Sequence, residues 1–201
     1  VGRAGVTIQA TPEVAVLANY DQGFRAPNLD DLTSRQQVGP GFQFENTKLR
    51  PERSQTFELG SALDLDWLRL DAWGFATLLD DPIARSLRTQ EDCPPETSSC
   101  GSSRTLYQLV NLDGTGVIWG ADGGAKLKLL RSISLRATAG YAWGQGPSPE
   151  SSVTGRVPLS RIPAPSGTVE GLFRHEATGL YAGAAARWAL AQRRLSTSDA
   201  T

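Results

Sequence analysis

The sequence predicts an all-β fold, an antiparallel transmembrane β-barrel wall of about eight strands, and three observations predict it. Apolar residues recur at every second position over long stretches, the connections between those stretches alternate strictly between short and long, and aromatic residues gather toward the long-loop ends. The first is the mark of a strand with one apolar and one polar face. The other two belong to barrels that cross an outer membrane, with short turns on one side and long loops on the other.

The elements follow in order. "VGRAGVTIQ" reads as a first strand. Val14, Val16, Ala18 and Tyr20 then oppose Asn19, Asp21 and Arg25, and Phe57, Leu59 and Leu63 oppose Thr56 and Glu58. Val117, Trp119, Ala121, Ala125, Leu127 and Leu129 stand against Asp122, Lys126 and Lys128. Ile133, Leu135, Ala137, Ala139, Tyr141 and Trp143 alternate with Ser134, Arg136, Thr138, Gly140 and Ala142, and Leu180, Ala182, Ala184, Ala186, Trp188 and Leu190 with Gly183 and Arg187. Each run is near the 9 to 11 residues that a tilted spanning strand needs. On this reading Leu135, Ala137, Ala184 and Ala186 face lipid.

Only "DLDW", "LRSI" and "RHEATG" separate some strands, while the stretches from about Ala26 to Glu52, Asp80 to Arg104 and Gln145 to Leu159 are long and rich in Pro, Gly and Ser. A soluble antiparallel sandwich shares the alternation, because one of its faces is core and the other water. It has no reason to keep its long loops at one end of every hairpin. Tyr20, Tyr141, Trp143 and Trp188 fall toward the long-loop ends, as in an aromatic girdle.

Composition removes other classes. Of 201 residues, 39% are hydrophobic and 21 are glycine, a turn-rich balance that argues against a helical enzyme. Twenty Lys and Arg against 21 Asp and Glu leave a net charge of −1, so the basic stripe of a nucleic-acid binder is missing and nucleic acid is not an expected partner. No apolar run reaches the roughly 20 residues of a membrane helix, and no signal peptide opens the chain. The sequence lacks methionine even at position 1, and so reads as an excerpt of a longer chain.

"YDQGFRAPNLDDL", followed after a polar loop by "ENTKLRPERSQTFELGSAL", resembles the paired barrel signature of TonB-dependent outer-membrane receptors. In that family a strand ends in Gly-Phe-Arg-Ala-Pro, and the next begins with Asn-x-x-Leu-x-Pro-Glu-x-Ser and runs into Glu-x-Gly. Here Asn46, Leu49, Pro51, Glu52, Ser54, Glu58 and Gly60 fill those places. "LVNLDGTGVIWGADGGAKLKL" and "VPLSRIPAPSGTVEGLF" extend the resemblance from about Leu17 to Leu195. Two departures stand out. Thr47 replaces a common proline, and Trp73 and Phe75 share the face of Arg69 and Asp71, a break in phase that a β-bulge would repair.

The resemblance implies that residues 1–201 are a partial barrel domain lacking the family's plug and terminal strands. It implies a site in the outer membrane of a Gram-negative bacterium, and no enzymatic activity. It further implies energy-coupled uptake of a scarce, bulky ligand: a siderophore–metal chelate, a corrinoid or a glycan. The implied partners are the lipid bilayer, the TonB energy-transducing complex acting through the missing N-terminal region, and the small-molecule ligand. A passive porin or structural barrel is the alternative, and a soluble β-sandwich binding module a weaker one.

By parity Arg25, Glu52 and Glu58 belong to the polar, lumen-facing side, with Arg25 and Glu52 at similar heights, and Arg25 is expected to pair with Glu52 or else Glu58. Gly23, Phe24 and Pro27 mark the strand-to-loop corner, where Pro27 ends the ladder and Gly23 allows a bend. Cys93 and Cys100 bracket "PPETSS" and are expected to form a disulfide, against two free thiols or half of a metal site. No metal site, cofactor or catalytic residue is expected. His175, the one histidine, reads as a solvated turn residue. "GTGVIWG" lacks the following helix that a phosphate loop requires, so its glycines read as close packing on a strand or relief beneath an aromatic neighbour.

Overall fold

A single antiparallel sheet of eight long strands dominates the computed structural model, which describes residues 1–38, 41–93, 105–150 and 153–196. In chain order the strands are β1 (Arg3–Gln9), β2 (Val14–Arg25), β3 (Gln36–Val38), β4 (Gly41–Phe44), β5 (Glu52–Asp64), β6 (Leu68–Asp80), β7 (Ile83–Arg88), β8 (Thr105–Asn111), β9 (Thr115–Leu130), β10 (Ile133–Pro147), β11 (Arg156–Pro158), β12 (Ser166–His175) and β13 (Leu180–Ala189). The wall runs β1-β2-β5-β6-β9-β10-β12-β13, with β11 added beside β10. It does not close on itself, so it is a partial barrel wall. No helix among the described residues is long and apolar enough to cross a membrane, a fact that leaves crossing by strands untouched.

Directly opposed residues in antiparallel strands point to the same face, so an unbroken register carries the parity of one strand across the sheet. One row reads Ala18, Leu59, Gly74, Ala121, Tyr141, and the next reads Asn19, Glu58, Phe75, Gly120, Ala142. The first face carries exposed hydrophobics, with Leu59 63% exposed. The second face is polar and includes Thr56 bonded to Thr77 at 2.9 Å, Thr138 to Thr168 at 2.7 Å, and Arg136 to Glu170 at 3.3 Å. Arg69, Asp71, Asp122, Lys126 and Arg187 continue it and line an open trough of about 1150 Å³.

The expected bulge in β6 is absent. Trp73 pairs with Gly60 and Asp122, and Phe75 with Glu58 and Gly120, in continuous register. Both rings stay on the polar face because glycine makes room for them: a Cβ on Gly60 would meet Trp73 Cε3 at 2.5 Å, and one on Gly120 would meet Phe75 Cζ at 2.7 Å. Of the glycines of "GTGVIWG", Gly120 thus lies on β9 as relief beneath Phe75, Gly116 lies on β9 against Leu79 and Leu159, and Gly114 precedes the strand with φ 110°. On the apolar face Trp188 lies over Gly167 in the same manner. There Tyr20 meets Phe57 with ring centroids 5.0 Å apart, and Trp119 meets Tyr141 at 5.8 Å and Trp143 at 5.7 Å.

Short turns join β1 to β2, β5 to β6, β9 to β10 and β12 to β13, and the long connections all lie at the opposite rim. Gly179, with φ 67°, supplies the left-handed residue that the β12–β13 turn needs. The long connections are more ordered than their composition suggests. The expected end of the second at Arg104 is corrected: β7 and β8 lie within it and the wall resumes only at Thr115. The first holds helix α1 (Leu29–Thr33), β3 and β4. These strands form a second sheet in the order β3-β4-β8-β7, in which β4 and β8 run parallel.

The buried apolar cluster sits in this second sheet. Phe42, Phe44 and Leu106 pack together with Cys93 against them, and Leu49 and Leu112 are buried elsewhere in the connections. A one-layer wall has nothing to bury its faces against, whereas two loops folded onto one another can enclose side chains.

A valine side chain at Gly120 would run its Cβ into the Tyr141 carbonyl and displace the Phe75 ring, whereas at Gly74 the nearest atom to such a Cβ is 3.9 Å away. Strand propensity favours valine at both. Gly120→Val is therefore expected to cost about 1–3 kcal/mol more than Gly74→Val by overpacking. Thermal unfolding of the full-length protein in detergent checks this, and equal midpoints would contradict the ring-over-glycine packing.

Candidate functional site

The polar face ends at the long-loop rim in the segment Gly23 to Pro27. Gly23 pairs with Ser54 and Arg25 with Glu52, so the strand runs straight to Arg25 with no bend at Gly23. The expectation of a bend is corrected: a Cβ on Gly23 would lie 2.5 Å from Ser54 Oγ, and its small size serves that approach. Phe24 falls on the apolar face and is 61% exposed. Beyond Pro27, Asn28 caps α1, its side chain accepting the Asp31 N–H at 2.7 Å while the Asp31 carboxylate accepts the Asn28 N–H at 3.1 Å.

The same Asp31 carboxylate accepts the Arg25 guanidinium at 2.9 Å. The expected pairing of Arg25 with Glu52 or Glu58 is thus corrected. Arg25 and Glu52 are register partners, but Glu52 Oε2 accepts the Ile83 N–H at 2.9 Å and Glu58 Oε2 accepts the Asn19 amide at 3.2 Å. The helix one turn past the corner brings a carboxylate that strand parity cannot reveal. Arg25 fixes α1 to the end of β2, and Glu52 fixes the start of β7 to the start of β5.

The two longest connections grip each other through backbone mimicry. Asn111 on β8 accepts the Arg50 N–H at 2.7 Å through Oδ1, and through Nδ2 donates to the Arg50 and Asp81 carbonyls at 2.9 Å. Asn46 donates to the Leu109 carbonyl at 2.9 Å, and Gln108 to the Glu45 carbonyl at 2.8 Å. Arg50 also pairs with Asp81, which holds a positive φ of 53°. Ser86 on β7 donates to the Pro149 carbonyl at 2.6 Å, which brings in the third connection. The first motif, through Asn46 and Arg50, and "LVNLDG", through Leu109 and Asn111, are therefore bonded to one another. Their long sequence separation hides this from periodicity.

Beneath the second sheet lies a cavity of about 540 Å³, walled by Arg25, Asp31, Gln43, Arg85 and Glu52 and floored by Leu79 and Ile118 of β6 and β9. Arg85 stacks over the Tyr107 ring at 5.4 Å. At the rim outside it, the hydrogen bond from Arg35 holds Glu45 below the usual carboxylate range, and the Thr89 backbone and hydroxyl hydrogen bonds do the same for Asp92.

Cys93 follows the short 3-10 turn Gln90–Asp92, and its expected disulfide partner Cys100 lies outside the described residues. His175 closes β12 at the opposite rim, with Nδ1 2.8 Å from Thr178 Oγ1. Among the described residues no group of three or more His, Cys, Asp and Glu is placed to hold a metal ion.

The chain matches the family described as "TonB dependent receptor-like, beta-barrel" over residues 1–201. None of the curated proteins matches it in sequence. Among solved structures it is similar to the copper transporter OprC, with 21% identity, a TM-score of 0.74, and 96% of this chain and 27% of that one covered. It is similar to the Serratia marcescens hemophore receptor HasR, solved with its hemophore HasA and heme, at 17% identity and a TM-score of 0.72 over 93% of this chain and 31% of that one. It is also similar to the siderophore receptor PirA from Pseudomonas aeruginosa, at 16% identity and a TM-score of 0.60 over 92% and 34%. The chain spans between about a quarter and a third of these structures, and at such identities the likeness is one of fold.

Removing the Asn111 carboxamide leaves the Arg50 amide without its acceptor and the Asp81 carbonyl without its donor. Asn111→Ala is expected to speed hydrogen exchange at Arg50 and through β7 and β8 at least tenfold, a local loss of about 1.4 kcal/mol, with exchange in β5 and β6 unchanged. Unaltered exchange in β7 and β8 would contradict the clamp.

Proposed function

Because the chain belongs to the TonB-dependent receptor-like β-barrel family, we propose that it forms a sector of an outer-membrane receptor barrel that takes up a scarce, bulky ligand at the expense of energy supplied through TonB. The supporting observation is the division of one sheet into an apolar face and a polar trough, with the described parts of the long connections gathered into a cap at one rim. In hydrocarbon each backbone N–H and C=O needs a partner, and only a helix or a closed barrel provides one throughout a spanning segment. The outer edges of β1 and β13 have no neighbour among the described residues, and in this reading flanking strands of the barrel supply them in the membrane.

In this reading the apolar face meets lipid and the trough faces the lumen, where Arg25, Glu52 and Glu58 look toward a plug or ligand. Ligand capture begins at the cap, whose loops are joined closely enough to shape a site. The structural neighbours, a copper transporter, a hemophore receptor and a siderophore receptor, support a ligand of the metal-chelate class. A passive porin would share the wall without needing an energised partner.

Uptake assays separate the two. With the full-length protein as the only receptor in its host, accumulation of a labelled ligand, drawn from ferric siderophores, cobalamin and oligosaccharides, is expected to fall to background when TonB is deleted. Arg25→Ala is expected to reduce that uptake severalfold at unchanged outer-membrane abundance, and the exchange Arg25→Asp with Asp31→Arg to restore part of it. Uptake that persists without TonB would identify a passive barrel.

A further inference from the structure

The ladder of the wall has a gap beside β10. β12 pairs with that strand as far as Gly140 and β11 pairs with it only from Gln145, so Tyr141 to Gly144 have no strand next to them on that side. Two other segments draw in around the gap. Ile162 packs against Gly144, and the chain beyond β13 is tied across the opening by three hydrogen bonds. The Leu190 N–H donates to the Pro165 carbonyl at 2.9 Å, the Gln192 side chain donates to the Ile162 carbonyl at 2.9 Å, and the Gln192 carboxamide oxygen accepts the Arg194 N–H at 3.1 Å. What stays open is a notch of about 180 Å³, walled by Tyr141, Trp143, Ile162 and Pro165 and edged by Arg193 and Arg194. It shares no lining residue with the trough or with the cavity beneath the second sheet.

Position and charge together select an occupant. Tyr141 and Trp143 belong to the apolar face, where both rings meet Trp119. The Arg194 guanidinium lies over the Trp143 ring, 4.2 Å from its centre. Such stacking leaves the N–H groups at the guanidinium edge open to an anion. No carboxylate lines the notch, and neither Arg193 nor Arg194, both exposed, forms an ion pair among the described residues. A broken ladder is not tolerated in hydrocarbon, so the gap lies at the depth of the lipid headgroups, where aromatic rings and arginines are at home. Two cations beside apolar walls at that depth complement a molecule with an anionic head and an acyl chain. The long-loop rim faces the outer leaflet, which in a Gram-negative outer membrane is built of lipid A, a diphosphorylated glycolipid.

We propose that this notch is a binding site for one phosphorylated glycolipid of the outer leaflet, its phosphate held by Arg193 and Arg194 and the first methylenes of an acyl chain seated against Trp143 and Ile162. Guanidinium groups grip phosphate oxygens through paired N–H donors, and the phosphate brings the counter-charge that the described surroundings lack. The volume admits a short stretch of one chain and not a whole lipid, so the molecule straddles the boundary between headgroup and hydrocarbon. The inference rests on the reading of the apolar face as the lipid face, and needs neither TonB nor the transported ligand.

Native mass spectrometry of the purified, delipidated full-length protein in nonionic detergent counts bound lipids directly. The probes are lipid A, lipid A stripped of its phosphates, and inorganic phosphate. Lipid A is expected to bind at a single tight site, the stripped form to bind roughly tenfold more weakly or worse, and inorganic phosphate not to displace the lipid. Arg193→Gln combined with Arg194→Gln is expected to weaken lipid A binding by about tenfold or more, Arg194→Lys to retain part of it, and Lys128→Gln, on the polar face near the opposite rim, to leave it unaltered. Thermal unfolding checks that each variant is intact, and should the double variant unfold early, Arg193→Gln alone decides. Equal affinity for the stripped lipid, displacement by inorganic phosphate, unaltered affinity in the arginine variants, or an equal loss in Lys128→Gln overturns the site. Absence of the site beside TonB-dependent uptake would leave the receptor reading standing, whereas a bound lipid beside TonB-independent uptake would overturn that reading and keep the site.

Discussion

The requirement that every main-chain hydrogen-bonding group have a partner governs this structure more than any side-chain contact does. Eight strands answer it by pairing in sequence from β1 to β13, with one shift of register between Ile133 and Ser134. Because the register is continuous apart from that one shift at the start of β10, a single alternation fixes the chemistry of both faces over the rest of the sheet. It also decides where large rings go. Trp73, Phe75 and Trp188 cannot change face without breaking the ladder, so the neighbouring strand yields instead, presenting Gly60, Gly120 and Gly167 beneath them.

The same constraint separates the protein into a wall and a cap with different sources of stability. The wall has hardly any buried side chains, and its hydrophobic residues lie open on one face, an arrangement suited to a solvent of hydrocarbon rather than water. The cap carries an apolar cluster of its own around Phe44, 2% exposed, and is held by short polar links from Asn46, Asn111 and Ser86. Its parallel β4–β8 pairing joins connections that lie about sixty residues apart in the chain. Arg25 and Glu52 sit where wall becomes cap, and each secures a cap element instead of the other.

What was legible in the sequence follows from range. Strands, face parity and the alternation of short and long connections come from local periodicity, and they stand in the structure. The resemblance around Arg25, Asn46 and Glu52 pointed to the family, which the match over the full chain establishes. Less legible was whatever depends on two loops meeting. The partner of Arg25 is Asp31, because a capped helical turn intervenes between the corner and the next strand. The phase of Trp73 and Phe75 looked like an error of alternation because the relieving glycines are on other strands. The second sheet is not legible at all, since strands as short as β3, β4 and β7 leave little periodic signal amid Pro, Gly and Ser.

The central claim, that one face of this wall meets lipid and the other a polar interior, is tested most directly by spin labels placed singly along β10 from Leu135 to Gly140 in the full-length protein in vesicles. Collision with oxygen is expected to be high at Leu135, Ala137 and Ala139, and collision with a water-soluble nickel chelate or immobilisation against interior contacts to prevail at Arg136, Thr138 and Gly140. The accessibility should thus oscillate with a period of two residues. A flat profile, or oxygen maxima at Arg136, Thr138 and Gly140, would contradict the account.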